Sequence, residues 1–391
     1  MDKELYVNCC GCTTCSLVCP ADAIKMKEDK EGFLAPVIDK DTCIECGLCL
    51  KHCRFKHRIN HNIPHRSFGQ EVYALRLRSK RKRKQSQSGG AFASLAETFL
   101  LNHAGVYGVR QKEDFTACYT RINHINQLHS LTGSKYVQAE INDMFEKVNQ
   151  DLTSGMEVFF CGTACCIDGL YEYLMIQNCG TAKLVTCDII CHGVPSPLLV
   201  RDYITEVEQT YHSKVVAFNY RDKRLGWRGH SESFRLENNR VMLSQNFVKI
   251  FQSGLSLRES CYQCPYASLD RVSDITIGDC WGIEHVNPKF DDNKGCSLML
   301  IHSHKGREAF ERIRGNVEIQ EIDREKVLQP NLKHPTPRPE RRSEFWETYD
   351  SEGFKKTVER FCGYDTDKDR DFIKVKNELR LIKDQIIRKL R

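Results

Sequence analysis

The chain has 391 residues, enough at roughly 100–200 residues per domain for two or three domains with cores of their own. Hydrophobic residues make up 40% and charged residues 28%, an ordinary globular balance that excludes wholesale disorder and a collagen-like chain. The formal charge of +6 is mild for this length; it suits an acidic protein partner or an anionic small molecule and gives no case for nucleic acid.

Cysteine is the anomaly, with 21 in the chain and nine of them between Cys9 and Cys53. No apolar stretch approaches the roughly 20 residues of a membrane-spanning helix. Met1–Asn8 is charged and lacks a signal-peptide apolar region, so the chain is expected in the cytoplasm with no membrane span. A reducing cytosol keeps thiols unpaired, and dense, evenly spaced cysteines there point to metal rather than to disulfides.

Residues 1–57 hold too few apolar residues to build a core at that length, so metal is the expected staple. Within them Cys9-x2-Cys12-x2-Cys15-x3-Cys19-Pro20 recurs as Cys43-x2-Cys46-x2-Cys49-x3-Cys53. Three thiolates at three-residue intervals wrap one corner of an iron–sulfur cubane, and the fourth cysteine of each run serves the other cluster in two-cluster ferredoxins. That predicts two 4Fe–4S clusters, one on Cys9, Cys12, Cys15 and Cys53 and the other on Cys43, Cys46, Cys49 and Cys19. Structural zinc, the competing reading, also uses Cys-x2-Cys pairs but leaves the third and fourth cysteine of each run without a reason. Cys10 lies outside the pattern, and Arg54 stands where a second proline would match Pro20.

Residues 58–88 read as a basic linker containing one strand, Val72–Leu77, and an exposed run from Lys80 to Lys84 that is expected to be solvated and to touch an acidic redox protein. From Gly89 onward helix and strand signals alternate. Phe92, Leu95, Ala96, Phe99 and Leu100 share one helical face, with Gly105 placed to end the helix. Strands are predicted at Val106–Val109, Val158–Cys161, Leu184–Cys191, Val215–Tyr220 and Leu298–His302, and a helix carrying Ile167, Leu170, Tyr171 and Leu174 follows Gly162-Thr163. Ser233–Leu236 and Arg240–Leu243 flank Asn238-Asn239 as a hairpin. The expected architecture is an α+β ferredoxin-like iron–sulfur module (1–57), the linker (58–88), an α/β domain with a mixed sheet (89–345) and a helical tail (346–391) whose amphipathic helix runs from Phe372 to Leu390.

Cys19-Pro20-Ala21-Asp22-Ala23-Ile24 and the stretch Gly32–Asp39 make the first module resemble a bacterial two-4Fe–4S ferredoxin. In the larger part, several patterns follow one another in a single order: Ser86-Gln87-Ser88-Gly89-Gly90, Gly133–Gln138, Gly162-Thr163-Ala164-Cys165, Cys191–Ser196, Tyr220–Lys223 with Gly226-Trp227, Cys261-x2-Cys264 and Asp274–Gly282. Together they resemble the coenzyme F420 hydrogenase/dehydrogenase beta-subunit family of iron–sulfur flavoproteins. The resemblance implies that 89–345 is a flavin and iron–sulfur domain, with a third 4Fe–4S cluster on Cys165, Cys191, Cys261 and Cys264, and with FAD. On the residues alone, Cys165 and Cys191 also read as buried small hydrophobes and Cys261 with Cys264 as a zinc pair, while Cys161, Cys166 and Cys280 are substitutes for a cluster ligand.

No G-x-G-x-x-G occurs, so no ordinary dinucleotide fold for NAD is offered. Candidate FAD contacts are Ser88, Gly89 and Gly90 at a helix start, Lys135 beside the flavin or a phosphate, and Asp279 beyond an apolar strand. Each also has a plain reading as turn, solvated lysine or cap. Arg221, Lys223, Arg224 and Arg228 around Trp227 suit an anionic planar acceptor or, more plainly, a solvated loop over a core tryptophan, and His192 reads as a structural hydrogen-bonder. The implied function is an oxidoreductase passing electrons between 4Fe–4S clusters, FAD and a small organic two-electron carrier of the deazaflavin kind, with a redox protein such as ferredoxin as partner. The alternative is an electron-carrier subunit that serves a partner enzyme and has no organic substrate of its own. No catalytic residue and no oligomeric state follow from the sequence.

Overall fold

In the computed structural model residues 8–60 and 71–376 are described, and they divide into two compact units: residues up to 198 with 257–338, and residues 199–256 with those from 339 onward. The strands, in chain order, are β1 (Ile24–Glu28), β2 (Leu34–Ile38), β3 (Glu71–Leu77), β4 (Gly105–Gln111), β5 (Ala117–Ile122), β6 (Ala139–Glu140), β7 (Val158–Gly162), β8 (Leu184–Ile189), β9 (Val215–Asp222), β10 (Ser231–Leu236), β11 (Val241–Ser244), β12 (Ile275–Asp279), β13 (Ser297–Ile301), β14 (Val317–Glu321) and β15 (Arg370–Asp371).

The first unit holds the cysteine-rich module and a nine-stranded sheet. In the module β1 and β2 form an antiparallel pair with Ile24 opposite Ile38, and short helices Thr14–Leu17, Leu48–Lys51 and Arg54–Asn60 carry or follow the cysteine loops. The large sheet runs β14-β3-β13-β12-β8-β7-β4-β5-β6. Its centre, β12-β8-β7-β4, is parallel, and β3, β13 and β14 join antiparallel at one side. This is a ferredoxin-like module followed by an α/β domain with a mixed sheet.

β7 explains why the centre is covered on both faces. All five of its residues are buried, and they alternate: Phe159 and Cys161 join Leu95, Phe99 and Met299, while Val158 and Phe160 join Tyr107, Phe145 and Leu170. A continuous apolar run of this kind marks a parallel strand between two helical layers. Helix Ala91–Leu101 supplies one layer, its Phe99 ring stacked on Phe159 at 4.8 Å; helix Ala164–Ile176 supplies the other.

Three local expectations change. The helix at Ala91–Leu101 ends before Gly105: His103 takes the left-handed turn at φ 60°, the Ala104 N–H caps the Phe99 carbonyl, and Gly105 instead begins β4. β8 stops at Ile189, which leaves Cys191 in a loop at the strand's carboxyl end. The basic run is a helix, Lys80–Gln85, rather than a solvated connector, because its Arg83 turns inward and bonds to Asp292 while the other cations stay exposed.

In the second unit β15-β11-β10-β9 form an antiparallel sheet, with the β10–β11 hairpin turning through Asn239 at φ 64°. Tyr203, Phe218, Phe247 and Phe354 are buried and in mutual ring contact. Helices Arg342–Glu352 and Phe354–Cys362 follow; the amphipathic helix expected from Phe372 begins there, helical over 372–376, and the rest of it lies outside the described residues.

Candidate metal centres

All 21 cysteines are free thiols. In the first loop left-handed turns at Gly11 (φ 75°) and Thr13 (φ 62°) fold the chain so that Cys9, Cys12 and Cys15 approach one another. The Gly11 N–H donates to Cys9 Sγ at 3.3 Å, and the Thr14 hydroxyl lies 3.5 Å from Cys12 Sγ. Cys53 comes to the same place from the second run: burial, then the charges of Cys12 and Cys9, push its thiol up to about 12. Burial followed by Cys12, Cys9 and Cys53 raises Cys15 in the same way. Cys12 goes the other way, pulled down to about 6 by Cys10 and the Thr14 hydroxyl and N–H against the effect of burial; a cationic metal centre is what makes several neighbouring thiolates stable together.

Cys19, Cys43, Cys46 and Cys49 line one cavity, floored by the Ile24–Ile38 pair and walled by Ile44, Gly47 and Leu48, with about 310 Å³ of empty space counting the solvent at its mouth. The Ala23 N–H donates to Cys19 Sγ at 3.4 Å. Cys49 is buried at the back, whereas Cys46 is exposed beside Ile44, which is 65% exposed.

Cys165, Cys191, Cys261 and Cys264 converge as a third group. Cys165 lies in the first turn of the helix after β7 and Cys191 just beyond β8; because these strands are parallel, both loops leave the same edge of the sheet. The turn Glu259–Gln263 and the residue after it bring Cys261 and Cys264. Burial and then Cys165 push Cys191 up to about 11, burial with Cys165 and Cys191 push Cys264 up to about 12, and burial with Cys191, Cys264 and Cys165 raises Cys261. The substitutes lie elsewhere or have other partners: Cys161 pairs with Cys187, Cys280 with Cys296, and Cys166 with the Tyr119 hydroxyl.

Cys10 stands between the first and third groups, where its neighbours Cys12 and Cys165 and its burial push its thiol well up. The same junction is closed by the Thr14 hydroxyl, which donates to the Gly169 carbonyl at 3.1 Å, and a Cβ on Gly169 would meet Cys12 Sγ at 3.2 Å. Among the described residues no three His, Cys, Asp or Glu side chains close on a single-ion site. A zinc ion with Zn–S bonds of about 2.3 Å needs its sulfurs only about 3.8 Å apart.

A buried ionic lattice, unforeseen from the sequence, ties the cysteine module to helix Ala164–Ile176. Arg58 bonds Asp168 through Nε and, at 3.1 Å, through Nη2; Tyr266 donates to Asp168 at 2.8 Å. Arg54 lies 3.5 Å from both Asp168 and Glu172, and His52 Nδ1 is 2.8 Å from Glu172. The arginine that replaces proline after Cys53 is therefore a docking residue, and its departure from the repeat was the available signal.

The residues expected around FAD are engaged with the chain's own groups. Ser88 Oγ donates to the Cys296 carbonyl at 2.6 Å, the Gly89 and Ala91 N–H groups donate to Ser297 Oγ at 2.8 and 3.4 Å, and the Gly90 N–H donates to the Gln87 carbonyl. The Lys135 ammonium donates to the carbonyls of Ser130, Leu131 and Thr132, and burial pulls it down to about 7. Asp279 ends β12, its carbonyl bonded by Gln329. Trp227 is fully buried, with Arg221 bonded to its carbonyl and Arg224 paired with Asp222. His192 Nδ1 faces Asn331 and Thr336, both at 3.4 Å.

Residues 8–57 match the family described as 4Fe-4S dicluster domain, and residues 155–325 match the family described as the C terminus of the coenzyme F420 hydrogenase/dehydrogenase beta subunit. Among solved structures, a chain from the xenon-derivatised F420-reducing nickel–iron hydrogenase complex of Methanosarcina barkeri is 15% identical, covering 76% of this chain and 92% of that one at a TM-score of 0.47. No curated protein matches the chain. No helix among the described residues is long and apolar enough to cross a membrane.

Proposed function

We propose that this chain is an oxidoreductase subunit that conducts single electrons through three cubanes. It joins a 4Fe–4S dicluster domain at 8–57 to a match, at 155–325, with the C-terminal part of the coenzyme F420 hydrogenase/dehydrogenase beta subunit. The ligands are Cys43, Cys46, Cys49 and Cys19 for the outer cluster, Cys9, Cys12, Cys15 and Cys53 for the inner one, and Cys165, Cys191, Cys261 and Cys264 for the third. The observation that carries this reading is the junction: three groups of four cysteines, the first and third joined through Cys10 and the Thr14–Gly169 contact. Four thiols lining one cavity, as in the outer group, suit a cubane. Electrons enter or leave where Cys46 reaches the surface, the natural meeting point for a ferredoxin-like partner.

Cubanes move one electron at a time, so exchange with an organic carrier of the deazaflavin kind, which takes two electrons and a proton, calls for a group that stores the pair. FAD is the group the family resemblance implies. The Ser88–Gly90 turn and Lys135 are committed to internal hydrogen bonds and do not form a cradle for it. That commitment favours a second reading, an electron-carrier subunit that hands single electrons to a partner enzyme.

The test is flavin quantitation on anaerobically prepared chain, with assay of deazaflavin reduction by a reduced one-electron dye. Bound flavin with turnover supports the oxidoreductase that has its own substrate. Cluster reduction without either supports the carrier. A chain whose thiols take up no cluster contradicts both.

A further inference from the structure

Two buried side chains of the larger domain aim donors without a partner at the loop between Cys9 and Cys12. Arg258 is 5% exposed; its Nε donates to the Cys9 carbonyl at 2.5 Å, its guanidinium lies over the Phe33 ring at 5.4 Å, and its Nη1 has no hydrogen-bond partner. Gln138 is equally buried: its Oε1 accepts from the Leu34 N–H at 2.9 Å, and its Nε2 has no partner. Both orphan atoms flank Gly11. A Cβ on that residue would stand 2.2 Å from Gln138 Nε2 and 3.0 Å from Arg258 Nη1, so only glycine, which also meets the φ of +75°, lets the two donors in. Buried donors are nearly always satisfied, and an orphan in a native fold calls for an acceptor that is neither main chain nor side chain.

We propose that Arg258 and Gln138 are positioning donors to the sulfur of the 4Fe–4S cluster on Cys9, Cys12, Cys15 and Cys53, and that they raise its reduction potential. The inference rests on the ligand set proposed above. Each electron adds a negative charge to the cluster, and a guanidinium and an amide N–H at its edge stabilise the reduced form more than the oxidised one. The outer cavity, lined by its four cysteines, glycine and aliphatic residues, has no such cation in its lining. Arg258 also sits three residues before Cys261 and donates its own N–H to the Val194 carbonyl, so one segment fixes a donor for the inner cluster and two thiols of the third group.

The test is a redox titration followed by electron paramagnetic resonance on the full-length chain reconstituted without oxygen, with iron measured in each sample. Arg258→Gln and Gln138→Leu are each expected to move one midpoint to a more negative value with the other clusters unmoved and iron unchanged. Arg258→Lys, which keeps the charge, is expected to move it less. Unmoved midpoints in Arg258→Gln and Gln138→Leu at full iron content overturn the proposal and leave Arg258 as a clamp. If Arg258→Gln loses iron, Gln138→Leu, which removes no contact to a cysteine, decides by the same shift or its absence. Wild-type chain without cluster signals would overturn the ligand assignment itself.

Discussion

Replacing Asp168 with alanine is expected to loosen the grip of the ferredoxin-like module on the sheet domain. The Asp168 side chain is 4% and the Arg58 side chain 6% exposed, and the carboxylate receives two bonds from Arg58 and one from Tyr266. Removing one member of a buried ion pair strands the other, at a cost of about 3–5 kcal/mol. At 1.36 kcal/mol per factor of ten, this is roughly two to almost four orders of magnitude in the equilibrium for local opening. Native-state hydrogen exchange of the helix Arg54–Asn60 reads that opening without unfolding the rest. The expected result is a loss of protection of that size, with the strands of the large sheet unchanged. The pH dependence has a definite sign. Burial alone would raise the Asp168 carboxyl, but the Arg58 hydrogen bonds and charge, with Tyr266, outweigh it and hold the group below the usual carboxylate range. Its contribution is therefore complete above about pH 5, where an unfolded aspartate is ionised, and is lost progressively as pH falls from there through the lower folded value. Protection from this pair stays flat from neutrality down to about pH 5. A change of less than about threefold in Asp168→Ala would refute the docking argument, since surface substitutions stay within about 0.5 kcal/mol.

Cys261→Ser is expected to lower iron by about four atoms per chain while the two ferredoxin signals persist, and unchanged iron would remove the third site. Lys135→Met leaves the Ser130, Leu131 and Thr132 carbonyls unpaired, so thermal unfolding should show a loss of about 1–3 kcal/mol with iron unaffected; an unchanged melting point together with a loss of bound flavin would return Lys135 to the flavin site.

How much of this was legible in the sequence depends on what kind of physics each feature expresses. The ferredoxin cysteines repeat with one spacing, and spacing is chemistry written along the chain, so their grouping could be read directly. β7 was legible because a strand buried on both faces is an unbroken apolar run, and the β10–β11 hairpin because asparagine tolerates the left-handed turn that Asn239 adopts. The convergence of Cys165, Cys191, Cys261 and Cys264 depends on which strands are parallel and which end their loops share; the family resemblance was the main pointer to it, beside the expected place of Cys165 and Cys191 at two strand ends. The Arg58–Asp168 pair and the two donors at Gly11 are contacts between residues more than a hundred positions apart, each an ordinary charged or polar side chain in its own segment. Arg83 illustrates the opposite error: five cations in a row read as solvent-facing, yet a single turn of helix directs one of them inward to Asp292.

The central claim is three cubanes on twelve cysteines. Iron, acid-labile sulfide and zinc measured on chain purified without oxygen test it most directly. The account predicts about 12 iron and about 12 sulfide per chain with zinc absent, four of each for every cubane. About eight of each would leave the ferredoxin pair and contradict the third centre, and zinc in place of iron would contradict the whole electron path.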